Sequence, residues 1–140
     1  MRSRPTILAA LALTVGLAAC SSSSPGWTPL PSGAEPPTAC ARPNADSVIE
    51  ISADNLKFSA PCMVAPAGEA FVIRFTNDEA AVHNVAIYGD RSKATTHLNG
   101  ETITGPDQTI DYAVDALPAG DYYFDCIVHP AEMNGALYVR

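Results

Sequence analysis

The chain has 140 residues, a length that suits one domain. Fifteen acidic side chains face eight basic ones, giving a formal charge of −7 at pH 7. No basic patch is present, which argues against a nucleic-acid partner.

Residues 1–19 do not read as fold. Met1-Arg2-Ser3-Arg4 is a basic start, and Thr6 to Ala19 is an apolar run too short to span a bilayer as a mature helix. The run ends in Leu17-Ala18-Ala19-Cys20, which resembles the bacterial lipobox, where small residues precede a Cys that becomes the lipidated first residue. On that resemblance residues 1–19 are a signal peptide, and Cys20 carries acyl chains such as palmitate. The alternative is an ordinary secretory signal with an incidental Cys20. Each buried acyl CH2 contributes about 0.8 kcal/mol, so two or more chains hold a protein stably at a membrane. The expected location is the outer face of the cell membrane. In a cell with two membranes it is the periplasmic or outer-membrane side, because Ser21 after the Cys resembles the outer-membrane sorting pattern. Processing at Cys20 would remove Arg2 and Arg4 and take the charge to −9. That charge serves solubility, or steers the protein toward a positively charged partner.

Residues 20–44 read as the lipidated Cys followed by a linker. Four serines are followed by Pro25, Pro29, Pro31, Pro36 and Pro37, with no apolar period. Such a segment is not expected to order itself. As a free chain, residues 21–39 would reach on the order of 25 Å as a coil and about 60 Å as polyproline. Trp27, the one tryptophan, reads as a solvated or interfacial aromatic.

From about residue 45 the texture changes to short apolar runs broken by turn residues. Val48-Ile49-Glu50-Ile51 and Leu56-Lys57-Phe58 come first. After Pro66-Ala67-Gly68, residues Phe71, Ile73 and Phe75 fall on one face at period two. Asn84 to Tyr88, Thr109 to Val114, Tyr122 to Cys126 and Ala136 to Val139 follow. Strands at this spacing predict an all-β, antiparallel Greek-key β-sandwich over residues 45–140. No segment has a helical stripe, although a helical turn fits Asp90 to His97. Leu117-Pro118-Ala119-Gly120-Asp121-Tyr122 resembles a tyrosine corner, in which the Tyr hydroxyl bonds back to the preceding crossover. His97 reads as an exposed turn residue and Met63 as core.

Cys40 and Cys62 remain as an even pair once Cys20 and Cys126 are given other roles. In an oxidising compartment a disulfide is expected, contributing about 3 kcal/mol. Free thiols or an intermolecular bond are the alternatives.

The chemistry concentrates in Cys126-Ile-Val-His129-Pro-Ala-Glu-Met133, read with His83-Asn84 upstream. A thiol, two imidazoles and a thioether are a soft donor set, of the kind that makes a blue-copper site. Alternation puts Tyr122, Phe124 and Cys126 on one face and points Asp125 away, so Asp125 is expected to be exposed. Pro130 stiffens the loop, and Gly135 is expected to let the chain turn into the last strand.

These elements resemble the cupredoxins, the family of plastocyanin, pseudoazurin and amicyanin. The matching parts are His83-Asn84, the strand from Gly120 to Cys126, and the Cys126-x2-His129-x3-Met133 loop ending at Gly135. The resemblance implies an approximately eight-stranded sandwich with one type 1 copper ion. His83, Cys126 and His129 would be its equatorial ligands and Met133 its long axial ligand. Asn84 would brace the Cys loop by hydrogen bonding. The Cys-to-Met spacing lies between those of plastocyanin and amicyanin, which bears on axial geometry more than on binding.

The implied function is a lipid-anchored, extracytoplasmic carrier of single electrons, monomeric, meeting redox partners transiently. Copper storage or delivery is the alternative, as is a metal-free lipoprotein binding module. Zinc also suits thiolate and imidazole, but Met is a poor zinc ligand. An enzyme is not expected, since multicopper oxidases need many more than three histidines.

Overall fold

The computed structural model describes Trp27 and residues 29–140. The expected signal peptide and Cys20 lie outside the described residues. In chain order the described strands are β1 (Val48–Asp54), β2 (Lys57–Phe58), β3 (Cys62–Ala65), β4 (Phe71–Asn77), β5 (Val82–His83), β6 (Ala86–Tyr88), β7 (Thr96–Asn99), β8 (Ile103–Thr104), β9 (Gln108–Val114), β10 (Gly120–Asp125) and β11 (Asn134–Val139). One sheet runs β2-β1-β4-β9, the other β3-β11-β10-β6-β7, and β5 pairs with β8 beside them.

The sandwich follows from alternation. Ile49, Ile51 and Ala53 of β1 and Phe71, Ile73 and Phe75 of β4 point inward, meeting Phe124, Leu137 and Val139 from the other sheet. Met63 is buried in the same core. Most strand pairs are antiparallel, but β1 with β4 and β3 with β11 are parallel. Side chains alternate with the same period in both arrangements, so strand direction is not written in the pattern.

The tyrosine corner is present, with the Tyr122 hydroxyl donating to the Pro118 carbonyl at 2.9 Å. A second, unanticipated pin joins Tyr112 to the Glu101 carbonyl at 2.6 Å. The segment Asp90 to His97 forms no helix. The Asp90 carboxylate accepts from the Ser92 N–H at 2.7 Å, and Lys93 takes a left-handed φ of 57°. Local side-chain bonding of this kind competes with a helix. His97 therefore lies on β7, exposed and edge-on to Tyr122.

The outer face of the second sheet is covered, contrary to expectation. Cys40, Cys62, Val64, Ala136 and Tyr138 form a separate cluster, with Trp27 and Leu30 packed on it. The Trp27 indole N–H donates to the Tyr122 carbonyl at 3.0 Å, and its ring meets Tyr123 edge-on. The Leu30 N–H donates to Asp121 at 2.7 Å. A Cys40–Cys62 disulfide ties this strap to β3. A tryptophan can bury its ring and still satisfy its N–H, so Trp27, with Leu30 and the disulfide, fastens the described part of a stretch that has no apolar period. As a result every residue of β11 is buried.

Asp125 is the clearest correction. It points away from Cys126 but has no exposed surface, because the outer face is not solvent there. Tyr88 and Tyr123 flank it, and Lys93 pairs with its carboxylate.

Candidate metal centre

The site forms at one end of the sandwich, where β10 runs out and β5 ends. Alternation along β10 carries Tyr122, Phe124 and then Cys126 into the core. The loop beyond closes on itself through the backbone. The Cys126 N–H donates to the Met133 carbonyl, the Met133 N–H to the His129 carbonyl and the His129 N–H to the Cys126 carbonyl. The Asn134 side chain donates to the Pro130 and Ala131 carbonyls, at 3.1 and 3.3 Å. These bonds brace the stretch from Cys126 to Asn134 from within.

Gly135 lies within β11 opposite Phe124 rather than in a turn. A Cβ there would stand 2.5 Å from the Pro61 carbonyl and 2.6 Å from the Phe124 ring. It is small because the backbone is crowded, not because the chain bends.

Asn84 is wholly buried and joins two segments. Its amide donates to the Gly100 carbonyl at 2.7 Å, and its oxygen accepts from the Ile127 N–H at 2.9 Å, one residue past Cys126.

His83, Cys126 and His129 converge. The His83 Nδ1 lies 3.7 Å from the Cys126 Sγ and 3.2 Å from the His129 Nδ1. The His129 Nδ1 lies 4.0 Å from the Sγ. Metal–nitrogen bonds of about 2.0–2.1 Å and a metal–thiolate bond of about 2.3 Å set donor atoms about 3–4 Å apart around one ion. The three separations fit that span. His83 and Cys126 have no exposed surface, and His129 is half-buried. Met133 is fully buried in the adjoining core, tied through its backbone to both Cys126 and His129. The donor set suits a soft transition ion rather than a hard one.

Two residues near the site escaped the sequence reading. The Glu79 carboxylate contacts His83 Nε2 at 2.9 Å and accepts from the Leu56 N–H at 2.8 Å. The Leu56 hydrogen bond holds the Glu79 carboxyl below its ordinary value, burial opposes it, and the His83 ring adds to the lowering. Asn77, with no exposed surface, shapes the chain between them. The one signal in the sequence was the four-residue spacing of Glu79 and His83. His97 lies away from this cluster, on β7.

The family described as "Cupredoxin-like domain" matches residues 8–139. The chain belongs to the cupredoxin-like family. No match is found among curated protein sequences. Solved cupredoxin structures share the architecture. Dithionite-reduced auracyanin from the photosynthetic bacterium Roseiflexus castenholzii is 22% identical, with a TM-score of 0.61 over 69% of this chain and 99% of that one. Auracyanin A of Chloroflexus aurantiacus, a blue copper protein, is also 22% identical, with a TM-score of 0.59 over 66% of this chain and 98% of that one. Amicyanin of Paracoccus versutus is 26% identical, with a TM-score of 0.50 over 69% and 84%. These structures share the cupredoxin fold with this chain.

Proposed function

We propose that this cupredoxin carries single electrons, using one copper ion that His83, Cys126, His129 and Met133 would hold. The observation that carries the reading is the convergence of one thiol and two imidazole nitrogens within 4.8 Å of one another. Bound copper would supply the one-electron chemistry. The protein's part is to hold the donors still. The backbone-closed loop and the Asn84 bridge fix Cys126 and His129, and burial keeps water from His83 and Cys126.

His129 is the donor nearest solvent, and its surroundings suit a passing partner. Ile127 and Val128, each 43% exposed, and Leu56 at 37% are the exposed large hydrophobics among the described residues. Two of them follow Cys126 in sequence. The third sits on a turn that borders one shallow groove with Ala131 and Glu132 of the ligand loop. A small apolar rim favours brief contacts with a redox protein. We place the carrier outside the cytoplasmic membrane, held by acyl chains on Cys20, a reading supported by the Leu17-Ala18-Ala19-Cys20 pattern.

The test is the visible spectrum of the protein after Cu(II) addition, beside Cys126→Ser. An intense thiolate band that bleaches on reduction, returns on oxidation and is absent in the variant supports the proposal. Weak copper binding without that band overturns it and favours delivery or a metal-free role. Mass spectrometry of the membrane-associated protein reads the acylation of Cys20.

A further inference from the structure

The Glu79 carboxylate is tied down from several sides. One oxygen, Oε1, receives the Leu56 N–H at 2.8 Å and meets His83 Nε2 at 2.9 Å. The Glu79 N–H donates to the Asn77 side-chain oxygen at 3.2 Å. The Asn77 amide in turn donates to the Ala81 and Ile103 carbonyls, at 2.7 and 3.2 Å, and so closes the chain between β4 and His83. Gly105 packs so closely against this loop that a Cβ there would stand 2.5 Å from the Glu79 carbonyl.

The Leu56 N–H is free to donate for a reason. Asn55 and Leu56 both take left-handed φ, 53° and 55°, in the two-residue turn between β1 and β2. A turn of this primed type matches the twist of its strands. The central N–H groups of such a turn stand outside the ladder. Leu56 uses its own to hold Glu79.

The consequence falls on His83. An ionised carboxylate can only accept, so the nitrogen that faces it must carry the proton. That leaves the Nδ1 lone pair directed at Cys126 and His129. A carboxylate behind a ligating imidazole also makes the ring a stronger donor, and its negative charge favours the more highly charged state of the ion in front.

The geometry points to Glu79 as a positioning residue that locks His83 in its Nε2–H form and lowers the reduction potential of the copper site. The potential part of this inference rests on the electron-carrier reading. The tautomer part does not.

The test uses Glu79→Gln and Glu79→Leu in the whole protein. Gln keeps an acceptor oxygen without the charge, whereas Leu removes both. In the metal-free protein at mildly alkaline pH, the 15N resonances of the His83 ring report which nitrogen is protonated. The expected result is the Nε2–H form in the parent and in Glu79→Gln, and a shift toward Nδ1–H in Glu79→Leu. In the copper-loaded proteins the potential should rise in both variants. A merely structural role would lower Tm without moving either readout. An unmoved His83 tautomer in Glu79→Leu, or an unmoved potential in Glu79→Gln, overturns the inference. If Glu79→Leu does not fold, the potential of Glu79→Gln still decides. If the parent shows no thiolate–copper band, the carrier reading fails, while the metal-free tautomer measurement still judges Glu79.

Discussion

The Lys93 ammonium pairs with the Asp125 carboxylate, which is sealed from solvent one residue before Cys126. Lys93 reaches it past two rings, 5.0 Å from the centre of Tyr88 and 5.9 Å from that of Tyr123. The ammonium is the cationic partner that offsets the burial of this charge. Lys93→Met should therefore cost about 2–4 kcal/mol, and Asp125→Asn less, since it removes the charge itself. Combining the two should recover part of the loss. Urea unfolding of all four proteins checks this, and strictly additive costs would refute the coupling.

Trp27 acts as the clasp of the N-terminal strap, through its ring on Tyr123 and its N–H on Tyr122. Its half-buried position puts the expected cost of Trp27→Ala at about 2 kcal/mol, below the range for a fully buried aromatic. Because the Cys40–Cys62 bond remains, the strap should loosen only ahead of residue 40. Limited proteolysis should then cut within residues 29–39 faster than in the parent. An unchanged digestion pattern would count against the clasp.

Gly135 tolerates no side chain, because the Pro61 carbonyl and the Phe124 ring would both stand inside contact distance of a methyl group there. Gly135→Ala should destabilise the fold by about 1–3 kcal/mol, the usual cost of overpacking. The shift should also disturb the Cys126 end of the loop, since Phe124 is displaced. Thermal unfolding and the visible spectrum of the copper-loaded variant read the two effects separately.

Burial pushes the hydroxyls of Tyr112 and Tyr123 up to about 12, and the Asp125 charge adds to the effect at Tyr123. An unfolded tyrosine titrates near 10. The unfolded chain thus releases these protons first. Their stabilising contribution is complete below about pH 10 and is lost as the pH rises to about 12. The loss should be on the order of 2 kcal/mol per tyrosine. Tyr112→Phe should be less stable than the parent at neutral pH by about 1 kcal/mol, for want of its bond to Glu101, yet fall less steeply at alkaline pH. Equal alkaline slopes in the two proteins would contradict the assignment.

The inner half of this protein was legible from its residues. Period-two alternation placed Phe71, Ile73, Phe75, Phe124 and Cys126 on faces that do meet in the core. The order Cys126, His129, Met133 could be read because the three share one short loop, whose reach is limited by chain length alone. The outer half took its form from long-range packing. Alternation told which way Asp125 points but not what lies there, since burial depends on the Trp27 strap and Lys93 arriving from elsewhere in the chain. Glu79 offered only its four-residue spacing to His83, for the same reason. Its bond to Leu56 exists because a turn 23 residues earlier brings that N–H beside it. Local pattern records the direction of a side chain, while its partner is set by contacts that no short stretch of sequence contains.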